Sequence, residues 1–297
     1  MKIDFAVALV NPPFELVSPA SLESPLIVAS PHSGRDYPDA FVAASRLDAA
    51  ALRQSEDFFV DQLFQAAPDI GAHMLAARFP RAYCDANREP YELDPNMYLD
   101  AIPQHANTRS PRVSGGLGTI AKVVASKQEI YGGKLPYSEA ARRIRRYYHP
   151  YHDALSTLIE DKIARFGSCV LLDGHSMPPL RRNAGDPGGP GPDFVLGDRF
   201  GTSCHPALTD CITSFLTDRG YRVARNTPYA GGFTTSHYGR PNQGIHALQI
   251  EICRSRYMDP ENLSVTNGFA GLQADLSDLL GVASAFAQQL VLPDAAE

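Results

Sequence analysis

The sequence lacks the features of secreted and membrane-spanning proteins. Its five cysteines are odd in number, scattered and free of any CxxC pair, so we expect reduced, mostly buried thiols and no disulfide framework. No apolar run approaches the roughly 18 residues that a membrane-spanning helix needs. The first ten residues carry Asp4 and lead directly into Asn11-Pro12-Pro13, which is unlike a signal peptide. We therefore expect a soluble, cytoplasmic protein.

An excess of positive charge is also missing. The chain has 27 basic and 33 acidic residues, a formal net charge of −6, which argues against a nucleic-acid-binding surface. This balance does not exclude a small anionic substrate, because one or two well-placed arginines are enough to bind it. With 297 residues and 44% hydrophobic residues, the chain can bury a full-sized core. No linker or internal repeat divides it, so we predict one domain over residues 1–297.

Apolar, β-branched runs alternate with helical patterns along the chain. Strands are predicted at residues 24–30, 73–77, 168–172, 220–225 and 245–252. Helices are predicted at residues 53–67, 138–166 (broken near Pro150), 204–219 and 270–290, and a Gly- and Pro-rich loop at residues 182–193. The charges of the basic run 142–146 are expected on a solvated face. This order predicts a single α/β domain with a mixed or mainly parallel sheet flanked by helices.

Two predicted strands end in a histidine-bearing loop. His32 follows the first strand and His175 follows the strand at residues 168–172. Ligands of such sheets bind outside the carboxyl ends of the strands. A histidine in this position is more often a structural, hydrogen-bonded residue than a metal ligand. A catalytic zinc would also need a third ligand, for which the candidates are Asp36, Glu56 and Asp57.

The pair Glu56-Asp57 is the better-placed of these candidates, because it lies at the start of a predicted helix that can pack beside the first strand. The alternative is that both acids only complement the helix dipole.

Glu251 interrupts an otherwise apolar strand between Ile250 and Ile252. A buried carboxylate is costly unless it is paired or functional. Beside a metal, Glu251 could accept a proton from water and pass it to a departing amine. The alternatives are a solvent-facing glutamate on an edge strand or an ion pair with Arg254.

The segment Asp85-Ala86-Asn87-Arg88, with Arg81 shortly before it, offers two guanidinium groups and an amide. Arginine binds carboxylates in a bidentate manner and can also stabilise an oxyanion. A surface ion-pair cluster with Asp85, Glu89 and Glu92 is an equally good interpretation.

Taken together, these segments resemble the N-formylglutamate amidohydrolase family. The resemblance rests on the following segments, in chain order: Ser30-Pro31-His32-Ser33-Gly34, Glu56-Asp57-Phe58, Arg81, Asp85-Ala86-Asn87-Arg88, Pro150-Tyr151-His152, Asp173-Gly174-His175-Ser176, Pro192-Asp193-Phe194 with Leu196-Gly197, Gly231-Gly232-Phe233-Thr234-Thr235 with His237-Tyr238-Gly239, and GIHALQIE at 244–251.

That family is in turn similar to the zinc carboxypeptidase and aspartoacylase group. The resemblance implies a zinc carboxypeptidase-like (phosphorylase/hydrolase-like) fold. One departure concerns the metal site: the group usually has a glutamate three residues after the first histidine, and here that position is Arg35. In formylglutamate enzymes an aspartate before an aromatic residue is shared, which favours Asp57 over Glu56.

The resemblance implies zinc-dependent hydrolysis of N-formyl-L-glutamate to formate and L-glutamate, a step of histidine catabolism. It assigns His32, Asp57 and His175 to one zinc ion. It makes Glu251 the general base on the attacking water, and then the general acid toward the leaving nitrogen. The remaining expected roles are oxyanion or carboxylate stabilisation by Arg81, binding of the substrate carboxylates by Asn87 and Arg88, and closure over the substrate by the loop 231–239 with Thr235 and His237.

Three alternatives stay open at this point. The substrate could be another N-acyl acidic amino acid, acetylated or succinylated, or a peptidoglycan fragment. Cys84 or Cys253, paired with a histidine, could instead be the nucleophile of a metal-free amidase. A non-catalytic metal or carboxylate binder is the third alternative, but it would have no need of a base at Glu251.

Overall fold

The computed structural model describes residues 12–20, 22–180 and 190–290. Within these ranges the strands are β1 (Phe14–Val17), β2 (Leu26–Ser30), β3 (His73–Ala77), β4 (Cys169–Met177), β5 (Phe194–Gly197), β6 (Val223–Arg225), β7 (Ile245–Cys253), β8 (Met258–Asp259) and β9 (Ser264–Val265). The α-helices are α1 (Asp39–Ala44), α2 (Ala49–Arg53), α3 (Val60–Leu63), α4 (Pro111–Ser114), α5 (Tyr137–Arg143), α6 (His149–Phe166), α7 (Pro206–Asp218), α8 (Phe233–Tyr238) and α9 (Gly268–Gln289). None of the described helices combines the length and apolarity needed to cross a bilayer.

Seven of the strands form one mixed sheet in the order β1-β3-β2-β4-β7-β5-β6. The neighbouring strands β3, β2, β4 and β7 are parallel to one another, whereas β1 pairs antiparallel with β3, and β5 pairs antiparallel with β7. Strands β8 and β9 form a separate antiparallel pair. The predicted α/β fold with a mixed sheet flanked by helices is therefore confirmed.

Both faces of the central strands of the sheet are buried. Along β4, Val170 and Leu172 pack into one core with α7 and α9, and Cys169 and Leu171 pack into the other with α6. Because side chains alternate along a strand, Asp173 and His175 continue the α6 side toward the carboxyl end of β4. Strand β7 follows the same alternation, and its Glu251 pairs in register with His175. The sheet thus places polar side chains of two neighbouring strands together.

Two predicted elements are wrong in their local structure. Of the predicted helix 53–67, only Arg53 at the end of α2 and the four residues of α3 are α-helical. Phe59 adopts a left-handed φ of 61°, and Asp57 N in the intervening segment donates to His32 O at 3.0 Å. The loop predicted at 231–239 contains α8. Most of the predicted loop 182–193 lies outside the described residues.

The predicted helix 138–166 is continuous, although a break was expected near Pro150. A π-helical turn at Ile144–Tyr148 joins α5 to α6, and Pro150 follows this turn directly without ending the helix. Within the basic run, Arg143 is buried, contrary to the expected solvated face. Its guanidinium donates to Tyr131 Oη at 2.6 Å and Glu139 Oε1 at 2.8 Å.

Candidate metal centre and active site

Three buried side chains converge at the carboxyl ends of β2 and β4. His32 follows β2, His175 lies within β4, and Asp57 lies between α2 and α3. One potential ligand atom of each lies within 4.8 Å of the others. Asp57 Oδ2 is 2.9 Å from His175 Nδ1 and 3.3 Å from His32 Nδ1, so both imidazoles direct the same nitrogen at one carboxylate oxygen.

Several contacts fix the position of Asp57. Its backbone N–H donates to His32 O at 3.0 Å, and Arg254 Nη2 donates to Glu56 O at 2.7 Å. The side chain of Glu56 turns away to pair with Arg53 at 2.9 Å. Of the two adjacent acids, Asp57 is therefore the one that reaches the histidines.

The opposite nitrogen of each imidazole meets a second carboxylate. His32 Nε2 donates to Asp85 Oδ1 at 2.7 Å, and His175 Nε2 is 3.1 Å from Asp173 Oδ2. Metal-binding histidines typically have such a carboxylate behind the ring, which fixes the tautomer and leaves the other nitrogen for the metal. In agreement, His32 Nδ1 is buried but has no hydrogen-bond partner in the described part of the chain.

The electrostatic balance of this cluster favours a cation. Burial raises the pKa of Asp57, but the hydrogen bond from His175 and the nearby His32 imidazole outweigh it and hold that pKa well below its usual range. Burial also raises the pKa of Asp85, but the charges of Arg81 and Arg88 outweigh burial and hold this pKa well below its usual range. Two imidazole nitrogens and an ionised carboxylate form the donor set of a catalytic zinc site with an open position. The residues present fit this metal.

Glu251 lies beside this cluster. Gln249 Nε2 donates to Glu251 Oε1 at 2.8 Å, and Gln249 Oε1 accepts from Gly232 N at 2.7 Å. Burial raises the pKa of Glu251 to about 7, with His175 opposing the rise and Asp57 adding to it. The alternative pairing with Arg254 is not formed, because Arg254 donates to Ser176 Oγ and the Glu56 carbonyl. Glu251 is therefore a buried carboxylate suited to proton transfer near neutral pH.

A cavity of about 500 Å³ opens over these groups. Seven of the predicted site residues line it, namely His32, Asp57, Arg81, Asn87, Arg88, His175 and Glu251. Thr235 and His237 do not line it. The Thr235 hydroxyl donates to Gly232 O at 3.0 Å, and the exposed His237 ring stacks on Phe233. Substrate binding by these two residues stays a prediction, and in the described structure the loop contributes Gly231 and Gly232 to the cavity wall.

The side chains of Asn87 and Arg88 use their polar atoms in hydrogen bonds within the protein. Asn87 Oδ1 accepts from Thr234 N at 2.8 Å, and its amide nitrogen is 3.1 Å from His175 Nε2. Arg88 donates through Nε to Leu117 O and through Nη1 to Asn87 O. Carboxylate binding by this pair stays a prediction, and the structure shows a supporting role for both.

Arg81 keeps more donors for a ligand. It donates through Nη2 to Asp85 Oδ2 at 2.9 Å, and its Nε and Nη1 have no hydrogen-bond partner among the described residues. Its side chain is 23% exposed and lines the cavity.

Sequence reasoning missed several residues of the site. Asp173 and Gln249 each lie two positions before a predicted site residue on the same strand, so the two-residue period of a strand was the signal for both. Asp85 was considered only as an ion-pair partner. Arg112 and Ser176 also line the cavity, but no sequence pattern marks Arg112.

The cysteines are poorly placed for nucleophilic catalysis. Cys84 is fully buried in the core on the α6 side, where burial raises the pKa of its thiol. Cys253 Sγ contacts Ser255 Oγ at 3.2 Å. In the described part of the chain neither thiol is hydrogen-bonded to a histidine, which disfavours a cysteine amidase.

Comparison with known proteins identifies the family of this chain. The family model described as N-formylglutamate amidohydrolase matches residues 24–258. The N-formylglutamate deformylase of Pseudomonas putida is 29% identical over 238 residues, which cover 79% of this chain and 82% of the relative. The Pseudomonas aeruginosa deformylase is 30% identical over 240 residues, covering 80% and 83%. A crystal structure of N-formylglutamate amidohydrolase from Ralstonia eutropha JMP134 superposes with a TM-score of 0.87 at 38% identity, covering 93% of this chain and 99% of that one. The chain belongs to the N-formylglutamate amidohydrolase family.

Proposed function

We propose that this protein hydrolyses N-formyl-L-glutamate to formate and L-glutamate, with one zinc ion held by His32, Asp57 and His175. The observation that carries the proposal is the convergence of these three buried side chains beside Glu251. The substrate is taken from the relatives, which are named as N-formylglutamate deformylases.

His32 and His175 would bind the metal through Nδ1, and Asp57 through its carboxylate. Bound there, zinc supplies Lewis-acid polarisation of the amide carbonyl and lowers the pKa of water toward about 7. Asp85 and Asp173 hold the two imidazole rings from behind, so that the ligand atoms stay oriented.

Glu251 is the proton carrier of the reaction. Its carboxylate accepts a proton from the attacking water and delivers it to the nitrogen of the departing amino acid. Burial raises the pKa of this carboxyl toward neutrality and so favours both directions of transfer. The Gln249 amide holds Oε1 in place and leaves Oε2 for the water.

Arg81 is the group that stabilises negative charge. Its unpaired N–H donors line the cavity next to the metal ligands. They can donate to the oxyanion that develops as water adds to the carbonyl carbon, or to a substrate carboxylate.

The variant Glu251→Gln tests this assignment. It is isosteric, so zinc content should stay at one ion per chain, whereas formate release should fall by about 10²- to 10⁴-fold, the range of a lost general base. Full activity in this variant would contradict the mechanism. Loss of zinc together with activity would show that Glu251 acts mainly by supporting the metal site.

A substrate panel tests the acyl group. Wild-type protein should release formate from N-formyl-L-glutamate faster than it releases acetate or succinate from the N-acetyl and N-succinyl analogues. A higher kcat/KM for either analogue would move the function to another N-acyl amino acid and leave the reaction class unchanged.

A further inference from the structure

One wall of the cavity is built by the segment 112–125, which carries none of the residues assigned above. Leu117, Ala121, Val123 and Ala125 give this wall an apolar surface, and Arg112 lies at one end of it. An apolar surface next to a cation matches a short aliphatic side chain that ends in an anion.

The backbone of this wall is tied to the catalytic cluster. Arg88 Nε donates to Leu117 O at 2.8 Å, and Leu117 N donates in turn to Arg112 O at 2.8 Å. Asp85 N donates to Thr119 O at 2.8 Å. The backbone of Arg112 is therefore fixed relative to Asp85, the hydrogen-bond partner of His32.

The guanidinium of Arg112 differs from those of the other cavity arginines. Arg81 pairs with Asp85, Arg88 donates to two backbone carbonyls, and Arg254 donates to Ser176 and Glu56. Arg112 is solvent-exposed, and across the described ranges its side chain forms no hydrogen bond or ion pair. Its charge is among the causes that lower the pKa of Arg88, after burial, which places it close to the site.

We propose that Arg112 is the specificity-determining residue that binds the side-chain carboxylate of the substrate, while Leu117 and Val123 contact its methylene groups. This inference rests on the proposed function and names the residue that selects an acidic amino acid. A planar guanidinium with free donors binds a carboxylate in a bidentate manner, and a neutral amide at the same place lacks the charge attraction.

The test compares N-formyl-L-glutamate with its isostere N-formyl-L-glutamine in the metal-loaded protein. Wild type should prefer the acid. In Arg112→Gln, kcat/KM for the acid should fall about 10- to 100-fold, mainly through KM, which is the range for one charge-assisted hydrogen bond. The value for the amide should change less than twofold. Arg112→Lys should lie between the two, because it keeps the charge but not the fork.

Arg109→Gln is the matched control. It removes the same charge from an exposed residue three positions away that does not line the cavity. Its preference for the acid should equal that of wild type. Equal losses in the Arg109 and Arg112 variants would show a general field effect and overturn the proposal. A wild type that does not distinguish the two substrates, or an Arg112 variant that keeps the full preference, would overturn it as well.

Calorimetric binding of L-glutamate and L-glutamine separates this inference from the reaction itself. Wild type should bind L-glutamate more tightly, and Arg112→Gln should remove the difference. If no substrate releases formate but this binding pattern is observed, the proposed reaction fails while the role of Arg112 stands. Equal binding of both amino acids by wild type would refute the role of Arg112, whatever the reaction.

Discussion

Replacing Asp85 by asparagine should weaken metal binding without removing any of the three proposed ligands. Asp85 Oδ1 accepts from His32 Nε2 and from the backbone N–H of Asn87, and Oδ2 accepts from Arg81. An asparagine has only one acceptor oxygen. Whichever way its amide is turned, either Arg81 or the pair of His32 and Asn87 faces an NH₂ group.

The size of this effect on metal affinity follows from the hydrogen bond between Asp85 and His32 Nε2, the ring nitrogen opposite the proposed metal-binding Nδ1. Loss of a carboxylate that orients a metal-binding histidine typically lowers metal affinity about 10- to 100-fold. This corresponds to about 1.4–2.8 kcal/mol at roughly 1.4 kcal/mol per tenfold change. The upper end is expected, because the carboxylate is 6% exposed and also neutralises Arg81.

The measurement is a zinc titration against a competing chromophoric chelator. Asp193→Asn is the matched control, because Asp193 is a buried aspartate that pairs with Arg222 and does not line the cavity. Its zinc affinity should equal that of wild type. An Asp85→Asn variant with wild-type zinc affinity would refute the proposal that Asp85 orients His32 for metal binding.

Three further predictions address the base and the fold. Gln249→Met should lower kcat about tenfold with KM nearly unchanged, since it frees Oε1 of Glu251; an unchanged kcat would contradict the orienting role. The kcat/KM for the formyl substrate should decline tenfold per pH unit on acidification, because protonated Glu251 cannot accept a proton. The apparent pKa of this decline should be about 7 or lower, since a bound cation depresses the pKa of Glu251. Activity that rises on acidification would contradict this prediction. Arg143→Met should reduce the free energy of unfolding by about 3 kcal/mol, because it removes one partner of a buried ion pair. The control Arg146→Met, at an exposed residue, should change it by less than about 0.5 kcal/mol. Equal denaturation midpoints of the two variants would refute the structural role of Arg143.

The sequence was most informative where local patterns determine position. His32 and His175 were found because each follows or ends an apolar run, and the ends of parallel strands share one edge of the sheet. Glu251 was found because a charge within an apolar strand requires a partner or a function. The choice of Asp57 over Glu56 needed the family resemblance, since both acids occupy the same local environment in the sequence.

Other parts of the site depend on contacts that no local pattern encodes. Arg112 reaches the cavity only because its segment is tied to Arg88 and Asp85 across the fold. His237 was expected to contact the substrate because of its motif, whereas in the described structure its ring stacks on Phe233 and does not line the cavity. Arg143 looked solvated within a basic run, but a helical register that includes a π turn buries it. These outcomes follow from tertiary packing, which overrides local sequence character.

The most direct test of the proposed activity is formate release from N-formyl-L-glutamate by metal-loaded and chelator-stripped protein, measured side by side. We expect release by the loaded protein, loss after stripping, and recovery when one equivalent of zinc per chain is returned. Equal release by both samples would contradict the assignment of His32, Asp57 and His175 to a catalytic metal. An absence of release from the loaded protein, with zinc bound stoichiometrically, would contradict the proposed substrate.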